Sequence, residues 1–375
     1  MKIAVNTRLL LKDKLEGIGW FTYESLKRIT QQHKEHEFIF IFDRPYSDDF
    51  IFGSNVIPIV TGPQARHPIL YHIWFNRSIP KILKKHQVDL FLSPDGYLPL
   101  KTKVKTLTVI HDLNFEHYPK DIPPFNRYYY RKYFPLFAKA ANRIATVSNF
   151  SKQDIIQQYG IDEEKIDVVY NGASENFKPI KPAIQKLIRE KYTGGKHYFF
   201  FIGALNPRKN LVNLLKAFDL FKRKDKTGTQ LLIVGEKMFK TNNIFHTYEN
   251  MEFKADVVFS GRLNGYELYR AMASALALTY VSYFEGFGIP IVEAFYAEIP
   301  VITSNITSTP EVAGDAALLV DPFSPEDIAL SLSKISTDEK LRQSLIEKGN
   351  KRKLEFHWQK TADNLWDSMM KTINQ

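Results

Sequence analysis

Short apolar runs alternate with stretches of helical period along the chain. Residues 3–5, 38–42 (F-I-F-I-F), 88–92, 106–110, 144–147 and 168–170 are candidate strands, and 20–29 is a candidate helix. The pattern restarts at His197. Residues 198–202 (Y-F-F-F-I), 231–234, 257–259, 277–281, 301–303 and 317–320 form a second strand series, with helical period over 211–221. Runs that are apolar throughout, separated by helices, belong in parallel sheets covered on both faces. At 375 residues the chain is too long for one ordinary core. The pattern therefore predicts α/β architecture with two doubly wound domains. One spans 1–172 and the other 197–355, with 356–375 as a closing segment. Residues 173–196, carrying Pro179, Pro182, Gly194 and Gly195, suit a linker holding a short helix. In such sheets ligands sit beyond the carboxyl ends of the strands.

The loops at those ends carry the candidate chemistry. Glu285 and Glu293 lie seven residues apart in F-E-G-F-G-I-P-I-V-E-A-F. Pro290 suits a first helical position, which places Glu293 near the first turn of a helix. The backbone amides of Gly286 and Gly288 would then face an anion at that helix start, while a carboxylate accepts from hydroxyls. Glu293 as a simple partner of the helix dipole is the plainer alternative. In G-A-L-N-P-R-K-N, Arg208 and Lys209 stand in a turn shaped by Gly203 and Pro207, where two cations and helix amides suit a diphosphate. Gly17, Ile18 and Gly19 form a loop before the 20–29 helix, open to close ligand approach or to plain flexibility. His111 and Asp112, just past a strand end, suit hydrogen bonding or acid–base work, although a lone His-Asp pair is more often structural. The hydroxyls of 304–311 line a cleft or cap a helix.

Composition narrows the choices. The chain has no cysteine, which removes disulfides, thiolate metal sites and a cysteine nucleophile. No His motif has metal-ligand spacing, so no metal is expected. The N-terminal M-K-I-A-V-N-T-R reads as a strand without the apolar run of a signal peptide, and no stretch approaches ~20 apolar residues, so a cytoplasmic protein is the expectation. The formal net charge is +10, and residues 66–143 hold fourteen Lys/Arg against five Asp/Glu. Aromatic clusters interleave with them, at 71–75 and 125–134. That pattern suits a solvated basic face or an anionic membrane surface, with a peripheral station on the inner face of the plasma membrane. No nucleic-acid motif accompanies it, so no nucleic-acid partner is expected.

Taken together, these motifs resemble the family-4 glycosyltransferases of the GT-B fold, among the glycosyl transferases group 1. The likeness runs through V-I-H-D, V-S-N-F-S-K, V-Y-N-G, the R-K-N loop, the E-x7-E segment, P-E-V-A-G-D-A-A-L-L-V-D-P and F-H-W-Q-K-T-A, in the family's order. The resemblance implies two Rossmann-like domains facing a central cleft, the first binding acceptor and the second a nucleotide-sugar donor. It implies a closing helix that crosses back onto the first domain, with hinges near Asn171-Gly172 and residue 355. It also implies a metal-independent, retaining transfer of a hexose to a glycan or lipid-linked acceptor. Arg208 and Lys209 would neutralise the diphosphate, Glu285 would hold donor-sugar hydroxyls and Glu293 the ribose. His111 would contact the sugar, while the amides of Gly17 to Gly19 and Gly286 to Ile289 would face sugar and phosphate. Retention would follow from front-face attack or from double displacement through a carboxylate. The donor is expected to be GDP- or UDP-linked, with base selectivity set around 235–237 and 261–263. The flavour of H-D-L-N-F-E-H-Y-P with N-P-R-K-N leans toward mannose and a role in cell-surface polysaccharide synthesis. A GT-B epimerase, a phosphorylase or a non-enzymatic sugar-nucleotide binder are the alternatives.

Overall fold

Among the described residues the strands gather into two sheets in which every pairing is parallel. The computed structural model describes residues 1–236 and 241–375. The chain divides into two units, Met1–Gly172 with Trp358–Gln375, and Ala173–His357.

The first unit is built on β1 (Lys2–Asn6), β2 (Glu37–Phe42), β3 (Val56–Val60), β4 (Leu90–Ser93), β5 (Lys105–Ile110), β6 (Arg143–Thr146) and β7 (Ile166–Val168). Their order is β3-β2-β1-β4-β5-β6-β7. The F-I-F-I-F run is buried along its length because helices cover both faces of the sheet. Each such side chain contributes ~1.5–3 kcal/mol when withdrawn from water. β3 escapes the sequence pattern because it contains Pro58, and it sits at the sheet edge, where a missing N–H is tolerated. β7 begins two residues before the expected run, although Val169 N–H still reaches the Thr146 carbonyl at 2.7 Å.

The helix Trp358–Asn374 belongs to this first unit and packs against the helix Gly17–Gln32. Trp366 stacks on His33 with ring centroids 3.7 Å apart. Asp167 takes Arg143 Nε at 2.8 Å, Ser368 Oγ at 2.5 Å and Lys371 Nζ at 3.2 Å. Burial alone would raise its carboxyl, but the bonds from Arg143 and Ser368 outweigh that and hold it below the ordinary range.

The second unit is built on β8 (Tyr198–Ile202), β9 (Gln230–Val234), β10 (Val257–Gly261), β11 (Ala277–Tyr280), β12 (Val301–Ser304) and β13 (Leu318–Val320), in the order β10-β9-β8-β11-β12-β13. The helix Pro182–Thr193 packs on β9, β10 and the helix Gly265–Ala273 of the same unit. The strand order reverses between β1 and β4 in one sheet and between β8 and β11 in the other. Those switch points open a crevice at the carboxyl ends, and the candidate chemistry of each unit collects beside its own. Lys237, at the end of the expected base-selectivity stretch 235–237, lies outside the described residues.

Candidate active site

In the second unit the turn after β8 is set by its glycines. Gly203 and Gly235 have φ of 148° and 157°, which side chains rarely adopt, and a Cβ on Gly235 would stand 1.9 Å from the Gly203 carbonyl oxygen. The two strand ends therefore close together only as glycines. The N-P-R-K-N segment follows as a single turn of 3-10 helix, Pro207–Lys209, capped by the Asn206 side chain. Asn210, at φ 58°, donates through Nδ2 to the carbonyls of Val281 at 2.9 Å and Pro322 at 2.6 Å. Both asparagines thus fix the loop.

That loop delivers its cations to Glu285. Arg208 Nη1 lies 2.7 Å from Glu285 Oε2, and Lys209 Nζ lies 2.7 Å from Oε1. Arg208 Nη1 also donates to the Phe284 carbonyl at 2.7 Å. Glu285 is buried, and burial would raise its carboxyl, but the two cations outweigh this and pull it down to about 2. The sequence places these residues in separate loops with separate tasks; the structure joins them in one ionised cluster. Lys209 Nζ has a further partner, the hydroxyl of Tyr280 at 2.5 Å, and lies 4.6 Å from the centroid of that ring. Tyr280 had no part in the sequence reading, because it ends an apolar strand and looks like core.

Gly286, Phe287 and Gly288 are buried, and Gly288, at φ 103°, precedes the helix Ile289–Tyr296. Pro290 takes its second position rather than its first. Glu293 falls at the fifth, one residue beyond the first turn, which holds no acidic side chain. The dipole reading weakens accordingly, since that effect fades within a turn. Burial alone pushes the Glu293 carboxyl up to about 8. The hydroxyls of the 304–311 loop serve a third purpose. Ser308 Oγ donates to the carbonyls of Glu285 at 2.8 Å and Phe287 at 3.1 Å. Thr309 Oγ1 donates to those of Ser304 and Ile306, both at 2.8 Å. Ser308 thus braces the Glu285 loop and Thr309 its own loop, and the next helix has no side-chain cap.

In the first unit, Gly17, Ile18 and Gly19 are not a loop. They form the first turn of the helix Gly17–Gln32, whose N-cap Glu16 provides no side-chain cap. Trp20 N–H bonds the Glu16 carbonyl at 2.8 Å, so the three preceding amides have no acceptor within the helix. Phe21 of this helix meets His111 edge to face at 5.0 Å, which brings the helix start and the end of β5 together. His111 Nε2–H donates to the Pro94 carbonyl at 2.8 Å. Burial lowers its basicity despite that bond, so the neutral ring offers Nδ1 as an acceptor. Asp112 does not pair with His111. Its Oδ1 takes Asn114 N–H at 3.0 Å and Asn114 Nδ2 at 2.7 Å, a local turn.

A buried cluster beside the β1–β4 switch point also went unread. Arg8 Nε binds Asp95 Oδ2 at 2.6 Å, Asn6 Nδ2 binds Asp95 Oδ1 at 2.8 Å, and the guanidinium carbon lies 4.6 Å from the Tyr97 ring centroid. The signal was there, in the polar N-T-R and S-P-D that close two apolar strands.

Two family models divide the chain between them: Glycosyltransferase Family 4 matches residues 16–177, and Glycosyl transferases group 1 matches 184–352. Over nearly the full length the fold also follows solved transferases. A Rickettsia africae glycosyltransferase aligns with a TM-score of 0.75 at 18% identity over 99% of this chain and 98% of its own. WaaG, a glycosyltransferase involved in lipopolysaccharide biosynthesis, aligns at 0.76 and 17% over 98% and 99%. The chain is a GT-B glycosyltransferase. Among curated relatives of this glycosyltransferase is the O-antigen chain mannosyltransferase B of Escherichia coli, 26% identical over 96% of this chain and 97% of that one. The O-antigen chain mannosyltransferase RfbU of Salmonella typhimurium is 28% identical over 72% and 71%. Anabaena HepE, solved with UDP and glucose, aligns at a TM-score of 0.75 with 16% identity over 99% of each chain.

Proposed function

We propose that this glycosyltransferase moves a hexose, mannose in the reading we favour, from a nucleoside-diphosphate donor to a hydroxyl of a glycan or lipid-linked acceptor during cell-surface polysaccharide assembly. The names of the two O-antigen relatives support the sugar and the setting. The chemistry rests on one observation, the Arg208–Glu285–Lys209 cluster at the carboxyl ends of β8 and β11. As the glycosidic bond breaks, charge grows on the leaving diphosphate, and two preorganised cations stabilise that charge more than the ground state. Glu285 holds the pair in place and uses its remaining lone pairs on donor-sugar hydroxyls. Glu293 takes the ribose hydroxyls, and His111 Nδ1 accepts from the transferred sugar. The amides of Gly17 to Gly19 and of Gly286 to Ile289 contact sugar and phosphate.

We assign the reaction retention by front-face attack, in which the leaving phosphate takes the acceptor's proton. A carboxylate tied at both oxygens to cations is a poor nucleophile, which speaks against double displacement through Glu285. No metal is assigned a part. An epimerase would convert the donor without acceptor, and a phosphorylase would require inorganic phosphate. A thermal-shift screen over UDP-, GDP-, ADP- and TDP-sugars identifies the donor, because a ligand stabilises in proportion to RT ln(1 + [L]/Kd). GDP-mannose is expected to give the largest shift. An equal or larger shift with another nucleotide sugar removes that donor assignment.

The acceptor side has its own surface. The helix Pro124–Ala140 carries Arg127, Arg131, Lys132 and Lys139 and no acidic residue. Phe125, Tyr128 and Leu136 stand exposed on it, and Lys132 Nζ lies 5.5 Å from the Tyr128 ring centroid. Among the described residues no helix is long and apolar enough to cross a membrane. We assign this helix face to an anionic bilayer surface, where cations meet headgroups and aromatic rings settle at the interface. Co-sedimentation with phosphatidylglycerol vesicles, but not with phosphatidylcholine alone, is the expected result. Binding that ignores anionic lipid counts against it.

A further inference from the structure

The role given to Lys209 requires that its ammonium be held at one point, and Glu285 cannot do this alone. A carboxylate fixes a cation by attraction but leaves a long, flexible stem free to pivot. In this structure the stem is confined. A Cβ on Gly203 would stand 3.2 Å from Lys209 Cε, so the chain passes directly over that glycine. Beside it lies Tyr280, whose hydroxyl accepts from Nζ at 2.5 Å and whose ring centroid stands 4.6 Å from that nitrogen. Tyr280 is itself immobile. It is buried, its carbonyl accepts from Thr303 Oγ1 at 2.8 Å, and its ring lies under Gly288, where a Cβ would come 3.6 Å from Tyr280 Cε1. A phenylalanine would fill the same space. A buried hydroxyl costs free energy unless it is bonded, and here its bond goes to the ammonium that meets the donor.

We propose that Tyr280 is a positioning residue that aims the Lys209 ammonium at the leaving diphosphate. With Glu285 it gives Lys209 Nζ two oxygen partners, the phenol at 2.5 Å and the carboxylate at 2.7 Å, which the turn after β8 and the end of β11 bring together. This rests on the diphosphate role given to Lys209. A positioned cation acts mainly on charge that appears as the bond breaks, so the effect of Tyr280 falls on kcat rather than on donor KM.

A double-mutant cycle tests this, with Tyr280→Phe, Lys209→Met and the pair, read as steady-state kcat and donor KM for nucleoside diphosphate release. Circular dichroism and melting curves show that each variant is folded. Tyr280→Phe is expected to lower kcat about tenfold with donor KM within about twofold, the scale of one lost bond to a charged group. In the Lys209→Met background the same change is expected to do nothing further. Tyr280→His, whose ring nitrogen accepts from an ammonium, is expected to recover part of the rate, which a pure packing role would not allow. Unchanged kcat in Tyr280→Phe, or losses that multiply in the double variant, overturn the proposal. Wild-type turnover by Lys209→Met would overturn the diphosphate role beneath it.

Discussion

Glu285 and Glu293 carry the same side chain into opposite electrostatic surroundings. Glu285 meets two cations within 2.7 Å and stays ionised down to about pH 2, whereas Glu293 meets burial alone and titrates near 8. The consequences for stability have opposite signs. The folded-state value of Glu285 lies below its ordinary 4.5, so its stabilisation is present above that pH and is lost as pH falls toward 2. Glu293 lies above 4.5. Between 4.5 and about 8 the folded protein keeps a proton that the unfolded chain releases, so this group lowers stability progressively as pH rises through that window. Glu293→Gln is therefore expected to melt with wild type near pH 4.5 and above it at pH 8, in nucleotide-free scans. A constant difference across that range would contradict the assignment. Glu285→Gln leaves two cations facing a neutral amide. It is expected to lose roughly 3 kcal/mol of stability, as for a broken buried pair, together with most turnover.

At the scale of elements, glycine positions separate backbone need from permissiveness. Gly235→Ala forces a Cβ against the Gly203 carbonyl and is expected to lower the melting temperature by several degrees and weaken donor binding together. Gly17 begins a helix, and a Cβ there meets nothing within 4 Å, so Gly17→Ala is expected to be neutral or to stabilise by ~0.5–1 kcal/mol. The closing helix offers a third case. Asp167→Asn removes the charge shared by Arg143, Ser368 and Lys371 and turns one of the two acceptor oxygens into a donor facing them, and is expected to speed amide exchange across Trp358–Asn374. These elements also show where the sequence speaks. Strands of a covered parallel sheet are legible because they are apolar on both faces, which is why F-I-F-I-F and Y-F-F-F-I stood out. β3 was silent because a proline at a sheet edge reads as a breaker. The site was legible as motifs after strand ends, but not as contacts. Arg208 and Glu285 are brought together by β8 and β11 lying side by side, a fact of strand order that local pattern does not contain. Tyr280 was hidden because a buried phenol looks like core until its partner is seen, and the hydroxyls of Ser308 and Thr309 go to backbone carbonyls.

At the scale of the molecule, each unit repeats one device: a parallel sheet whose order reverses once, with polar groups gathered where it reverses. The net charge of +10 sits unevenly over this frame, concentrated in residues 66–143. If that charge meets an anionic bilayer, binding is expected to weaken steeply between low and ~0.15 M salt, as exposed charges are screened over ~8 Å. The central claim is that the Glu285-bound cations carry the leaving diphosphate. Its most direct test is the single-turnover rate of nucleoside diphosphate release, using the nucleotide sugar that stabilises the enzyme most, in wild type, Arg208→Met and Lys209→Met. The account predicts folded variants that still bind nucleotide but release diphosphate ~10²–10³-fold more slowly. Wild-type release by either folded variant would contradict it.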